Sequence, residues 1–243
     1  MRTIIPKAIV AGVATLGAAW CSTAQAQWSG EITPYLWAAG IDGDATVRGN
    51  DVDIDVGFDD LLDKTDIAGS VLGVLRRDRL VLWGQVDYFG LSTGAVDTPS
   101  SGSAKLETDA VIWTLAAGYQ FDGWMPGQYF DVMLGARQLS LDNKLSISGV
   151  GTFERDKDYT DAVLVVRPSL PINERWLFNP TFSFGTGDSE STWELWPQFQ
   201  YKITDTWAAR IGYRRLHYDI QGDDGNEFDA AFHGLVVGFG GFF

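Results

Sequence analysis

The sequence predicts an all-β fold, a transmembrane antiparallel up-and-down β-barrel of ten strands, with eight or twelve strands as alternatives. Three observations carry this prediction. Apolar and polar residues alternate with a period of two along most of the chain. No segment after the first thirty or so residues offers the ~20 consecutive apolar residues that a membrane-spanning helix needs. Aromatic residues make up 13% of the chain and glycines number 28, while mean hydropathy is only −0.04, which fits alternating strands better than buried helices.

The last strand carries the clearest pattern. Its odd positions are bulky, apart from one glycine, and its even positions are mostly glycine. Such a strand is expected to place its wide face in lipid and its small face in a crowded lumen. A terminal edge this apolar invites aggregation unless it is paired, and closing a barrel pairs it. The wide face includes Leu235, Val237, Phe239 and Phe243.

Nine earlier segments show the same alternation, although it is weakest in the second of them. In the others, one face is mostly apolar, and the other is mostly polar or small with some aromatic residues, such as Trp37, Trp83 and Trp196. Aromatic residues gather near the strand ends, where they favour the membrane boundary: Trp28, Tyr119, Phe121, Trp176, Trp193 and Trp207. The predicted strands are Trp28 to Ala39, Ile67 to Arg77, Leu80 to Leu91, Thr108 to Phe121, Gln128 to Leu139, Tyr159 to Leu170, Arg175 to Gly185, Thr192 to Ile203, Thr206 to Tyr218 and the terminal strand.

The connections between these strands alternate in length. Short connections at 77–79, 122–127, 171–174 and 204–205 are separated by longer polar stretches at 92–103, 140–158, 186–191 and 219–229. Short periplasmic turns and long external loops are the arrangement of outer-membrane barrels. Both chain termini are therefore expected on the periplasmic side.

The segment from Ala45 to Gly57 also alternates and could be an eleventh spanning strand. An even count is the rule for such barrels, so we interpret it as a strand of the first external loop that extends the wall above the membrane. Phe58 to Asp66 then looks like a short helical turn, with Leu61 and Leu62 against the barrel rim.

Residues 1–26 predict a signal peptide, and residues 27–243 the barrel domain. A basic start precedes a short apolar stretch and a small-x-small cleavage site at Ala24 to Ala26. Cleavage there removes Cys21, the only cysteine, so no disulfide is expected. It also removes Arg2 and Lys7, which takes the net charge from −14 to −16 and disfavours a nucleic-acid partner.

Charged residues of both signs fall on the predicted inner face. Because an unpaired buried charge is costly, they are expected to pair. One interpretation is a salt-bridged polar core that makes the barrel rigid; the other is a narrow, selective path for a small solute past Arg137, Arg167, Arg210 and Arg214. The predicted lumen network is Glu31, Asp87, Asp131, Arg137, Arg167, Glu194, Lys202, Arg210 and Arg214.

Two stretches resemble known sequences. Pro34 to Asp44, followed by Val52 to Val56 and Phe58 to Asp63, resembles a recurrent opening of small proteobacterial outer-membrane barrel proteins. The aromatic ending resembles the terminal-phenylalanine assembly signal of bacterial outer-membrane barrels. These resemblances imply the outer membrane of a Gram-negative bacterium, lipid and lipopolysaccharide as surroundings, and the barrel-assembly machinery as a partner during biogenesis. They imply no activity.

The expected role is that of a monomeric envelope protein, structural or a narrow small-solute channel, without a cofactor or metal. A surface-loop binding or adhesion protein is the main alternative. Acidic loops could also bind divalent cations, but no ligand spacing supports this. A lipid-modifying hydrolase would need a base such as His217 or His233, oriented by Asp219 or Asp229. No recognisable signature surrounds these residues, so no enzymatic activity is predicted.

Overall fold

A computed structural model describes residues 28–47, 50–57, 65–92, 96–97, 103–147, 151–222 and 227–243. Within these ranges the chain forms a 14-stranded antiparallel sheet. No helix in the described part is long and apolar enough to cross a membrane. The predicted signal peptide lies outside the described residues. The strands are β1 (Ser29–Val47), β2 (Asn50–Val56), β3 (Thr65–Arg77), β4 (Leu80–Ser92), β5 (Val96–Asp97), β6 (Ser103–Asp122), β7 (Tyr129–Ile147), β8 (Gly151–Pro171), β9 (Trp176–Phe178), β10 (Thr181–Gly187), β11 (Ser191–Trp196), β12 (Gln198–Lys202), β13 (Trp207–Gln221) and β14 (Glu227–Phe242).

The sheet closes on itself as a barrel of ten walls, which confirms the predicted fold class. The first and last strands close it: β1 pairs with β14 from Glu31 opposite Phe242 to Thr46 opposite Glu227. Two walls are each built from two consecutive strands, β9 with β10 and β11 with β12. Their breaks contain Pro180 and Pro197, and proline has no N–H to donate to a ladder.

The barrel has two unlike ends. At one end, which we name the short-turn end, the walls are joined by the short connections 78–79, 123–128, 172–175 and 203–206. Asp78 adopts a left-handed conformation there, with a φ of 55° that aspartate tolerates in tight turns. The chain termini of the barrel, Ser29 and Phe243, lie at this end, since Phe243 is bonded to Gly30 and Phe242 to Thr206. We name the opposite end the long-loop end.

Side chains alternate between the lumen and the outside, as the period-two pattern predicted. In the terminal strand, Val236 is 1% exposed whereas Val237 is 56% exposed. Exposed apolar residues form a belt around the barrel, on strands from β1 to β14. Such a belt is what a hydrocarbon surrounding requires of a barrel, because the backbone hydrogen bonds are satisfied within the closed sheet.

The inner face of the terminal strand confirms the expectation of a crowded lumen. A Cβ atom added at Gly240 would collide with the Thr33 hydroxyl, and one added at Gly238 would press on Thr33 and Tyr35 at 3.0 Å. Glycine is therefore required at Gly240, because β1 and its side chains occupy the space that a larger residue would need.

Four strands are about twice as long as a crossing requires. β1, β6, β7 and β8 contain 19, 20, 19 and 21 residues, whereas about 9–11 residues suffice to cross a bilayer. The stretch 140–158, expected as a long loop, is instead mostly a paired hairpin, with Ser140 opposite Asp158 and Ile147 opposite Gly151. The prediction erred because polar residues there were taken as a loop signal, although a wall above the membrane is wetted on its outer face.

The first long connection matches its prediction in part. β2 pairs with the upper half of β1, from Val47 opposite Asn50 to Ile41 opposite Val56, so it extends the wall and does not cross the membrane as an eleventh strand. The lower half of β1 pairs with β3. The predicted helical turn lies outside the described residues, except that Thr65 and Asp66 already belong to β3.

Candidate functional site: charged clusters in the lumen

A charged network crosses the lumen, and we name Asp87, Arg137, Glu194 and Arg214 the cross-lumen network. Arg214 on β13 donates to Asp87 on β4 at 2.8 Å and to Glu194 on β11 at 2.6 Å. Arg137 on β7 donates to the other oxygen of Glu194 at 2.6 Å. Two guanidinium groups and two carboxylates are thus joined into one chain of ion pairs with no net charge.

Neutral groups complete the coordination of these charges. Arg137 also donates to Thr114 and Thr192 at 3.1 Å and to Ser183 at 2.6 Å. Tyr35 on β1 donates to Asp87 at 2.6 Å. The side chains of Arg137, Asp87, Glu194 and Arg214 have 0% exposure, so water does not reach them. A buried charge costs less when it is paired and hydrogen-bonded. Each charge here is paired, and only Nη2 of Arg214 has no hydrogen-bond partner among the described residues.

Aromatic rings pack against the same network. The Arg214 guanidinium lies 4.1 Å from the Trp37 ring centre and 5.2 Å from that of Trp196. Tyr35 packs against Trp196 with 5.3 Å between ring centres. Trp37 and Trp196 are themselves buried. The arginine is thus enclosed by rings and carboxylates.

A second group of charges lies nearer the short-turn end. We name Glu31, Arg76, Asp131, Arg167 and Arg210 the short-turn cluster. Arg210 pairs with Glu31 at 2.5 Å, and Arg76 binds both oxygens of Asp131 at 2.7 Å. Arg167 donates to the neutral acceptors Thr181 and Asn179 at 3.2 and 3.0 Å and lies over the Trp83 ring.

The structure brings eight of the nine predicted lumen residues into these two clusters. Lys202 is the exception, and its assignment to the lumen network was wrong. It stands at the end of β12 with its side chain 48% exposed and pairs with Asp205 in the adjoining turn at 2.6 Å. The alternation points it inward, but the strand has by then reached the solvent at the barrel end.

Two inward-facing charges were missed from the sequence, Arg76, which is partly buried, and Asp161, which is fully buried. Arg76 was overlooked because small residues such as Gly69, Ser70 and Gly73 obscure the alternation of β3, although Leu72 and Val74 would have fixed its face. Asp161 has the same parity as Arg167 on β8 and was derivable from it. Asp161 is 0% exposed and accepts the backbone N–H of Ser189 at 2.9 Å.

The two histidines lie on the outer wall toward the long-loop end, but they do not form one cluster. His217 bonds to Asp229 at 2.6 Å and stacks on Trp193. His233 lies 3.2 Å from Asp42 and bonds to Tyr213 at 2.7 Å. Among the residues that the structure describes, no group of three or more histidine, cysteine or acidic side chains is placed to hold a metal ion.

The projecting part of β6, β7 and β8 carries a row of acids on its outer face. Asp109, Asp142 and Asp156 stand directly opposite one another on the three strands. Partial burial raises the pKa of Asp142, and the nearby carboxylates of Asp156, Asp109 and Asp158 raise it further. Like charges directly opposite one another on neighbouring strands destabilise a sheet, so these carboxylates repel one another at neutral pH.

No protein-family model matches the sequence, and no curated relative matches it either. Solved structures are similar in shape. The outer membrane protease OmpT from Escherichia coli has 10% sequence identity and a TM-score of 0.54, with 93% of this chain and 99% of that chain covered. Ail of Yersinia pestis has 10% identity, coverage of 90% and 100%, and a TM-score of 0.40. The translocator domain of the autotransporter NalP from Neisseria meningitidis has 12% identity, coverage of 90% and 89%, and a TM-score of 0.44.

The class of protein follows from the fold. A closed antiparallel barrel of ten walls with an apolar outer belt and an interior that mixes charged, polar and apolar side chains is an outer-membrane β-barrel, the fold shared with Gram-negative outer-membrane proteins. At 10% identity, the likeness to OmpT concerns the fold alone.

Proposed function

We propose that the protein is an integral outer-membrane protein of a Gram-negative bacterium whose barrel is sealed within and serves as a structural element of the envelope. The observation that carries this proposal is the cross-lumen network. Charges from β4, β7, β11 and β13 meet inside the barrel with no exposure to solvent. A barrel of ten walls is only slightly wider than one filled by its own side chains, and here the filling is ionic and mutually bonded.

The orientation follows the usual arrangement of such barrels. The short-turn end, with both termini, faces the periplasm, and the projecting strands β6, β7 and β8 stand outside the cell. The apolar belt contacts lipid and lipopolysaccharide, and the barrel functions as a monomer. During biogenesis, the outward residues Leu235, Val237, Phe239 and Phe243 serve as the assembly signal for the barrel-assembly machinery.

One observation favours a second function, binding at the cell surface. The strands β6, β7 and β8 are roughly twice as long as is needed to cross the bilayer. A barrel with a purely structural role would not need this extension. Its acidic outer row would select a basic partner. Although OmpT is named a protease, we propose no enzymatic activity here. The His217–Asp229 pair lies on the outer wall, and no metal-ligating group accompanies it among the described residues.

Single-channel recording tests the sealed barrel. In planar bilayers the wild-type protein is expected to insert without sustained conductance steps, because the cross-lumen network blocks the path. Replacing Asp87, Arg137, Glu194 and Arg214 by serine removes two charges of each sign and is expected to produce steps.

In a matched control, serine replaces all four residues of two exposed ion pairs at the short-turn end, the Arg79–Asp122 pair and the Lys202–Asp205 pair. This control also removes two charges of each sign, and it is expected to show no conductance steps. Sustained steps from the wild-type protein would contradict the proposal and favour the narrow-channel alternative.

A further inference from the structure

The short-turn cluster holds more cations than anions. Its three guanidinium groups face two carboxylates, and each carboxylate is engaged by a different arginine: Glu31 by Arg210 and Asp131 by Arg76. Arg167 is left with neutral acceptors, although it is only 1% exposed. Its Nη1 atom has no hydrogen-bond partner among the described residues, and neither has the Nε atom of Arg210.

The excess of one positive charge in the short-turn cluster favours the binding of an anion. Arginine cannot give up its proton in a protein, so Arg167 cannot become neutral as other buried groups do. Asp131 stands opposite Arg167 on β7, but Arg76 occupies both of its oxygens, so the cluster keeps one positive charge in excess. An incompletely compensated buried charge is costly, and a ligand of opposite charge lowers that cost. Asp161, the remaining buried carboxylate in the described part of the chain, lies elsewhere in the lumen, beside Ser189 at the hairpin joining β10 and β11.

A cavity of about 200 Å³ adjoins the cluster. Arg76, Arg167 and Arg210 all line it, together with Glu31, which Arg210 pairs. The cavity reaches the short-turn end, where Ser29 and Phe243 contribute to its wall. Three arginines around one cavity that opens at the short-turn end suit the binding of an oxyanion, because the planar guanidinium can donate two parallel hydrogen bonds to one oxyanion.

We propose that this cavity is a binding site for one small oxyanion of the phosphate or sulfate class, held by Arg167 with Arg210 as a second donor. The anion enters from the short-turn end, and the filled layer above makes the site a closed vestibule. A phospholipid head group at that end presents the same phosphate chemistry as the free ion. The inference depends on the short-turn cluster and not on the sealing of the lumen.

Calorimetric titration of the full-length protein with inorganic phosphate tests the site. The protein is held in dodecyl maltoside, which carries no phosphate, and sodium chloride of equal ionic strength serves as the reference titrant. Saturable binding of one phosphate per chain is expected. Arg167→Met should weaken it by at least about tenfold, since a hydrogen bond to a charged group changes affinity by that factor or more. Arg79→Met, at an exposed arginine of the same end, should leave the affinity unchanged.

A second variant keeps the test decisive if Arg167→Met fails to fold. Thr181 accepts from Arg167 at 3.2 Å and from Gln198 at 3.5 Å, so both of its side-chain contacts are donors. Thr181→Asp puts a carboxylate of similar size there and supplies the missing counter-charge from within. It should fold, and it should also lose phosphate affinity by at least about tenfold.

The two sources of phosphate are separated by repeating the titration in phosphatidylethanolamine bicelles. Weaker binding than in detergent assigns the site to head groups, which compete for it, and unchanged affinity assigns it to the free anion. Failure of the wild-type protein to bind phosphate in detergent would overturn the proposal. Equal binding by the wild type and both cluster variants would overturn it as well.

Discussion

Replacing Glu194 by glutamine is expected to lower the free energy of unfolding by about 3–5 kcal/mol, the cost of removing one partner from a buried ion pair. Glu194 receives hydrogen bonds from Arg137, Arg214 and the Gln85 amide. A glutamine is nearly the same shape, but its NH₂ group would face donors that need an acceptor. The side chain is 0% exposed, so water cannot take over that role. Equilibrium unfolding in guanidinium, followed by tryptophan fluorescence, measures the change.

A double-mutant cycle identifies the cause of this loss. Arg137→Met combined with Glu194→Gln restores the charge balance, so the double variant should lose less stability than the two single losses added together. Glu174→Gln, at an exposed turn position, should change stability by no more than about 0.5 kcal/mol. Purely additive losses in the cycle would contradict a coupled network.

An arginine at position 237 is expected to destabilise the barrel by about 2–4 kcal/mol, because Val237 faces outward near the middle of the apolar belt. The same substitution at His233, on the same strand and face but beside Asp42, should cost only about 0–1 kcal/mol, since it lies near the interface. Equilibrium unfolding in lipid vesicles compares the two variants. Equal losses at both positions would argue against a hydrocarbon surrounding for Val237.

The sequence predicted the walls of the barrel well because lipid enforces the alternation. An outward position on a crossing strand must be apolar, so Phe182, Phe184 and Leu195 reveal their faces without any knowledge of their neighbours. The inner face can also be predicted where apolar and polar residues alternate regularly along a strand. Arg137, Arg167 and Arg214 were therefore predicted to face the lumen, where all three are buried. Above the membrane this constraint disappears, and the projecting hairpin of β7 and β8 was therefore predicted as a loop.

Pairing inside the lumen could not be predicted in the same way. Which arginine meets which carboxylate depends on the tilt and stagger of strands far apart in the chain, as with Arg214 and Asp87. The neutral donors and acceptors, such as Tyr35 and Thr114, carry no signal of their role in the sequence. The uncompensated charge of Arg167 becomes visible only after the partners of Arg76 and Arg210 are known.

The tryptophans of the native chain offer the most direct test of a lipid-facing belt around a filled lumen. Trp37, Trp83 and Trp196 are buried inside, whereas Trp113, Trp176, Trp193 and Trp207 lie on the outer face. Fluorine NMR of the 5-fluorotryptophan-labelled protein, with a lipid-soluble paramagnetic agent in the bilayer, reads each ring separately after assignment by single Trp→Phe variants. The three inner resonances should stay sharp while the four outer ones broaden. Broadening of the Trp37, Trp83 and Trp196 signals to the same degree would contradict the account.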